Sequence, residues 1–172
     1  VKMYEPLPVC SVPDPNIAED AETVKPVLKI ATTNREIEEY YRIRREVFVV
    51  EQKIFKNTDM DKHDENAIPI IACYKYKAVG AVRCYPKTKK VWLGGRLAVD
   101  RDFRKYNVGA LLVHKAVETM NNRSDVYRFL ATIQLQNVRF FRRLEWIKLG
   151  RVFVMKGKKH QMMEKVLEGR HR

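Results

Sequence analysis

The chain has 172 residues, of which 45% are hydrophobic and 32% charged. That balance suits one globular domain with a full core and excludes a disordered or low-complexity chain. No apolar run reaches the length of a membrane-spanning helix, and the net charge of +13 predicts attraction to phosphate-rich molecules.

The charge is unevenly spread. Residues 1–24 carry one lysine against five acids, a net of −4. Five of the seven prolines (Pro6, Pro8, Pro13, Pro15 and Pro26) fall in the first 26 residues. The expectation is an extended, proline-rich arm over 1–26, followed by a single domain over 27–172. Cys10, Cys73 and Cys84 are odd in number and widely spaced, with no metal-ligand pattern. They point to a reducing, cytoplasmic compartment, and no metal is expected.

The first strand is predicted at Val27–Ala31. Thr33-Asn34-Arg35-Glu36 then forms a capping box. The helix it opens carries Ile37, Tyr40, Ile43 or Arg44, Val47 and Val50 at three- and four-residue spacing, and runs to about Gln52. Glu51 closes it beside Phe48-Val49-Val50. A carboxylate at that place is the leading candidate for the base of a proton-transfer reaction. Residues 53–66 read as a polar loop with acids at Asp59, Asp61, Asp64 and Glu65. Asp59, Asp61 and Asp64 are candidates for attracting a cationic substrate. The loop lacks the glycine and bidentate glutamate of a calcium site.

Strands follow at Ile68–Tyr76, Ala78–Tyr85 and Lys90–Val99, with short turns that predict antiparallel pairing. Gly94-Gly95 would allow a bulge or the close approach of a ligand. The third of these strands runs into Arg104-Lys105-Tyr106-Asn107-Val108-Gly109-Ala110 and a helix over 108–121. Free N–H groups at a helix start, beside Arg104 and Lys105, make an anion site suited to a diphosphate. Asn107 is the type of residue best able to replace glycine in a left-handed turn. A buried strand is predicted at Phe129–Gln134, a helix at Val138–Trp146, and a strand pair at Arg151–Lys156 and Gln161–Leu167. Residues 139–172 hold eleven Lys or Arg against three acids.

The 104–109 segment reads R-x-x-N-x-G and resembles the coenzyme-A-binding motif Q/R-x-x-G-x-G/A of the GNAT superfamily of N-acyltransferases. Asn137-Val138-Arg139-Phe140-Phe141 resembles a second motif of that superfamily. The resemblance covers residues 27–167, and the predicted order β-α-β-β-β-α-β-α-β-β is similar to the GNAT order. It implies an α/β (α+β) acyltransferase fold with a mixed, mostly antiparallel sheet flanked by helices.

It implies acetyl-CoA as co-substrate, held by backbone groups of Leu97, Ala98 and Val99, by Arg104, Lys105, Asn107, Val108, Gly109 and Ala110, and by Asn137 and Phe141. Phe141 stands where the family commonly has a tyrosine that protonates the departing thiolate. Tyr85, Cys84 or a water is left for that role, with Tyr85 the named candidate beside Glu51.

Arg44-Arg45-Glu46-Val47-Phe48, with the acids after it and Arg83, is similar to acyl-homoserine-lactone synthases. Arg45 and Phe48 fit their R-x-x-F spacing. The expected activity is acetyl-CoA-dependent N-acetylation of a small-molecule or protein amine, by a monomer or homodimer without nucleic acid or membrane partner. The alternatives are lactone synthesis, or a nucleic-acid-binding or coenzyme-A-sensing module that does no chemistry.

Overall fold

The computed structural model describes residues 24–170. The arm expected over 1–26 therefore lies outside the described residues as far as residue 23. Seven strands form one sheet: β1 (Val27–Ile30), β2 (Ile68–Tyr74), β3 (Lys77–Thr88), β4 (Val91–Val99), β5 (Arg128–Gln134), β6 (Ile147–Met155) and β7 (Lys158–Lys165). Their order is β1-β2-β3-β4-β5-β7-β6. Only β4 and β5 run parallel; every other neighbour is antiparallel. Helices α1 (Asn34–Arg45), α2 (Val108–Asn121) and α3 (Val138–Arg143) flank the sheet. This is the mixed, mostly antiparallel architecture that the sequence predicts.

The apolar residues divide between the two faces. Tyr40, Ile43 and Val47 pack with Ile71, Ala81 and Ala98 on the α1 face. Val108, Leu112, Val113 and Ala116 pack with Val79, Phe129, Met163 and Trp146 on the α2 face. Each such fully buried aliphatic side chain contributes about 1.5–3 kcal/mol. Packing between α2 and β3 depends on Gly80. A Cβ there would stand 2.7 Å from Leu112 Cδ1, 3.0 Å from Val108 Cγ1 and 3.1 Å from the Ala98 carbonyl oxygen. Gly80→Ala is expected to cost about 1–3 kcal/mol through overpacking. Urea unfolding would read this as a lower midpoint; an unchanged midpoint would mean that α2 retreats freely from the sheet.

Thr33 caps α1 as expected, with the Glu36 N–H donating to its hydroxyl at 3.2 Å. The end of that helix differs from the expectation. Residues Glu46–Glu51 form a π turn, in which the Gln52 N–H donates to the Val47 carbonyl at 2.9 Å. The wider turn holds one extra residue and shifts the phase of the helix face. Val49 is therefore buried, and Val50, assigned to the apolar stripe by its spacing, is 60% exposed.

Two boundaries also move. Helix α3 stops at Arg143, because Glu145 turns left-handed (φ 65°) and the Trp146 N–H reaches back to the Phe141 carbonyl at 3.0 Å. The final strand pair then starts earlier than predicted, at Ile147 and Lys158. Edge strand β6 is interrupted after Leu149, where Gly150 has φ 67° and the Gln161 amide donates to the Leu149 carbonyl at 2.8 Å.

Candidate active site

The site begins with a defect in β4. Ala98 pairs with Ala81 and Gly95 with Arg83, so β4 carries one residue more than β3 between those pairs. The extra residue is absorbed at Arg96, whose φ is 52°. The bulge lies one residue past the Gly94-Gly95 pair. A bulge re-aims its side chain and bends its strand. Here it turns Arg96 onto the 59–61 loop, with Nε 3.1 Å from the Asp59 carbonyl oxygen and the guanidinium over the Phe55 ring at 4.5 Å.

Beyond the bulge β4 leaves β5. The parallel ladder joins Val91–Gly94 to Arg128–Ala131 and goes no further. β5 continues along β7 to Gln134, and β4 continues along β3 to Val99. A wedge opens between them, flanked by Leu97, Ala98 and Val99. The Val99 carbonyl is not free, however, since Arg104 Nε donates to it at 3.1 Å.

At the mouth of the wedge the chain forms an anion cradle. Residues Arg101–Tyr106 make a 3-10 helix, Asn107 turns left-handed (φ 62°, ψ 21°), and α2 starts at Val108. A right-handed residue followed by a left-handed one directs successive N–H groups into one hollow. The first-turn N–H groups of Val108, Gly109 and Ala110 have no acceptor within the helix and join that hollow. Arg104 and Lys105 are exposed beside it. Gly109 has only ordinary contacts for an added Cβ, 3.7 Å to Phe140 Cζ and 3.8 Å to Val99 Cγ2. Packing within the protein does not demand a glycine there.

Glu51 reaches this cradle from the π turn. Its carboxylate pairs with Arg104 Nη2 at 2.7 Å, with its side chain 23% exposed. The sequence associated Glu51 with its apolar neighbours; the structure gives it a cationic partner on the anion loop. Glu51 also lines a shallow cavity of about 340 Å³ with Val47, Val50 and Asp100.

The acids of the 59–65 loop have a different role from the one expected. Arg44 is fully buried in α1 and donates from Nε to Asp59 at 2.7 Å and from Nη1 to Asp64 at 2.6 Å. Arg83 from β3 holds Asp61 at 2.7 Å and Asp64 at 3.0 Å. Arg96 adds contacts to Asp59 at 3.4 Å and Asp61 at 3.3 Å. Three carboxylates thus meet three guanidiniums. Hydrogen bonds from Arg83 hold the Asp61 carboxyl well below the usual carboxylate range. Burial pushes Asp64 upward, but the bonds from Arg44, the Asp61 N–H and Arg83 outweigh it and hold that carboxyl low as well.

Asp59, Asp61 and Asp64, expected to draw a cationic substrate, face guanidiniums of the protein itself. Their charge is neutralised internally, and Asp59 and Asp64 are buried. Of the two adjacent arginines of α1, Arg44 is the one that joins this network, through Asp59 and Asp64. Arg45, selected by the R-x-x-F spacing, instead donates to the Asn57 carbonyl at the surface. A large cation at a buried helix position beside Ile43 was the signal for this network.

Phe141, expected among the coenzyme-binding residues, faces inward. Its ring is buried in the core, edge-on to Trp146 at 5.5 Å. An apolar ring gains most by leaving water, and the neighbouring Phe140 is the one on the Gly109 side, 3.7 Å from where a Cβ at Gly109 would stand. Asn137 is exposed at the start of α3. Cys84 lies in the core with its thiol pushed up to about 12 by burial, so it cannot supply a proton readily or reach a ligand. Tyr85 stacks on His63 at 4.4 Å and lies 3.9 Å from the Cβ position of Gly95. Burial raises its phenol, which stays protonated at neutral pH. Among the described residues no helix is long and apolar enough to cross a membrane, and no group of His, Cys, Asp or Glu is arranged to hold a metal.

A family model described as acetyltransferase (GNAT) family matches residues 32–146. The uncharacterized protein YyaT of Bacillus subtilis (strain 168) is 26% identical over 143 residues, 80% of this chain and 94% of that protein. An acyl-CoA N-acyltransferase from Pseudomonas aeruginosa has a similar structure, with a TM-score of 0.71 at 17% identity over 84% of this chain and 100% of that one. A CoA-dependent acyl-homoserine lactone synthase, BjaI, is similar at a TM-score of 0.65 and 18% identity, over 80% of this chain and 81% of that one. At these identities the solved structures share the fold.

Proposed function

The chain belongs to the acetyltransferase (GNAT) family, and on that premise we propose that it transfers an acetyl group from acetyl-CoA to an amine. The observation that carries this reading is the meeting of three features at one point: the β4–β5 wedge, the left-handed turn at Asn107, and the Arg104–Glu51 pair. A pantetheine arm is a chain of amides and needs an open strand edge. The residues after the bulge, Leu97 and Ala98, supply one. A diphosphate needs N–H donors and cations. The turn at 107–110 supplies the donors, and Arg104 and Lys105 supply the charge. Asn137, the N-cap residue of α3, leaves its side chain free of a capping bond and would hold the coenzyme from that helix.

Chemistry then follows from position. The amine nitrogen attacks the thioester carbonyl, the C–N bond forms, and the C–S bond breaks. The β4 amides polarise the carbonyl. Glu51, at the Arg104 end of the site, accepts the proton that the amine loses by way of intervening water. A thiol with a pKa near about 8.5 can leave as the thiolate without a donor, and the protonated phenol of Tyr85 is the nearest candidate to assist it. The acceptor is a small-molecule or protein amine, and a cytoplasmic site of action accords with the buried thiols Cys73 and Cys84, which are not joined in a disulfide.

The test is thiol release from acetyl-CoA across a panel of amines, together with calorimetric titration of the coenzyme. Arg104→Ala should weaken acetyl-CoA binding by about 1.5–3 kcal/mol, the range of a charge-assisted hydrogen bond. Gly109→Ala should fold normally, because its Cβ meets only ordinary contacts, and should bind acetyl-CoA more weakly, because the methyl fills the cradle. Wild-type affinity in both variants would remove the site from this account.

A further inference from the structure

The acyl-transfer reading leaves one concentration of charge unused. Arg139, Arg142 and Arg143 of α3 are all exposed, and Lys148 at the start of β6 stands beside them. Together they line a cavity of about 570 Å³ whose apolar part is Leu135 and Val138. None of the four cations has an ion-pair partner among the described residues. The carboxylates on adjoining elements are engaged elsewhere: Glu145 pairs with Lys165 at 3.2 Å and Glu164 with Arg128 at 2.8 Å. Four like charges around one hollow repel each other, and a low-dielectric wall focuses their field into it.

The hollow is distinct from the coenzyme cradle. α3 presents Phe140 to Gly109 and buries Val138 and Phe141, while the three arginines occupy the remaining face, toward β6. Neither Asn137 nor any residue of the 104–110 loop lines it.

We propose that the α3–β6 hollow is a second anion site, which binds a compact ligand bearing several phosphate groups and is separate from the coenzyme. Three guanidinium forks and an ammonium match adjacent phosphates better than they match a single carboxylate. The volume falls within the range of small-molecule sites, about 300–1,000 Å³. Leu135, 42% exposed, offers a ring or sugar face somewhere to rest. The four cations gather around one hollow of about 570 Å³, a size that suits a compact polyanion rather than a nucleic-acid strand. The same chemistry is found in soluble inositol polyphosphates and in phosphoinositide headgroups.

The full chain is titrated with inositol hexakisphosphate by calorimetry and sedimented with phosphatidylcholine vesicles with and without phosphatidylinositol bisphosphate. The wild type is compared with Arg142→Gln/Arg143→Gln, with Lys158→Gln/Lys159→Gln, and with Arg104→Ala. The first double variant should lose at least about tenfold in affinity, as two charge-assisted contacts require. The other two should change little, and acetyl-CoA affinity should be unchanged in Arg142→Gln/Arg143→Gln. Binding of the free probe identifies a soluble ligand, and binding to the doped vesicles alone identifies a headgroup.

Equal losses in both double variants would overturn the proposal, leaving only a diffuse basic surface. A loss of coenzyme A affinity that spares dephospho-coenzyme A would overturn it too, by assigning the hollow to the coenzyme. These failures leave the acyl-transfer reading intact, because that reading is tested at Arg104 and Gly109.

Discussion

Asp64→Asn should lower the stability of the fold by about 3–5 kcal/mol, the usual cost of leaving buried ionic partners uncompensated. The change leaves Arg44, which is fully buried, and Arg83, which is nearly so, short of negative charge. For a chain of this size the loss corresponds to a fall in melting temperature of roughly 6–20 °C. The pH dependence has a definite sign. The Asp61 and Asp64 carboxyls are held below their ordinary value of 3.8, so they stabilise the fold above that pH. The contribution is lost as pH falls through the lowered values. The gap between wild type and variant should therefore be full at neutral pH and close in strong acid. Urea unfolding at a series of pH values measures it. A gap that is constant down to pH 2 would show that it does not arise from carboxylate ionisation, and a variant as stable as wild type at pH 7 would show that the network carries no net stability.

The second large effect is expected at Glu51. Glu51→Gln should separate binding from chemistry. Loss of a general base lowers turnover by about 10²–10⁴-fold. The same change removes a carboxylate that competes with the diphosphate for Arg104. Acetyl-CoA should then bind up to about fivefold tighter, in keeping with the strength of a part-exposed ion pair. Steady-state kinetics and calorimetry on the same preparation provide both readouts. Unchanged turnover would remove Glu51 as the base, and weaker binding would mean that the pair holds Arg104 in place for the ligand.

The elements were legible because each has a local cause. Thr33 and Glu36 announce α1, alternation and short turns announce β2 to β4, and the strand-to-helix turn at Asn107 announces the anion cradle. Asn107, a residue type that tolerates positive φ, takes the left-handed backbone there. What escaped was long-range or out of phase. Asp59, Asp61 and Asp64 read as a solvated acidic run, because their partners Arg44, Arg83 and Arg96 lie 15 or more positions away along the chain and meet them only in the folded structure. One inserted residue in the π turn exchanged Val50 for Val49 at the core. Adjacent Phe140 and Phe141 could not be assigned to surface and core from spacing, because α3 is too short to establish a stripe.

The brief contact between β4 and β5 divides the sheet into two plates, β1–β4 and β5–β7, joined by a seam of four residue pairs. Within the seam Trp92 stands opposite Phe129, whose ring packs on Trp146; past Gly94 and Ala131 the ladder between the plates ends. An amide-bearing ligand in the gap would act as a temporary eighth strand, bonded to one plate and packed on the other. Its affinity would then count toward cohesion of the whole chain. At a hundred times its dissociation constant it would add about 2.7 kcal/mol. The two plates would then unfold together, and the melting curve would sharpen as well as move.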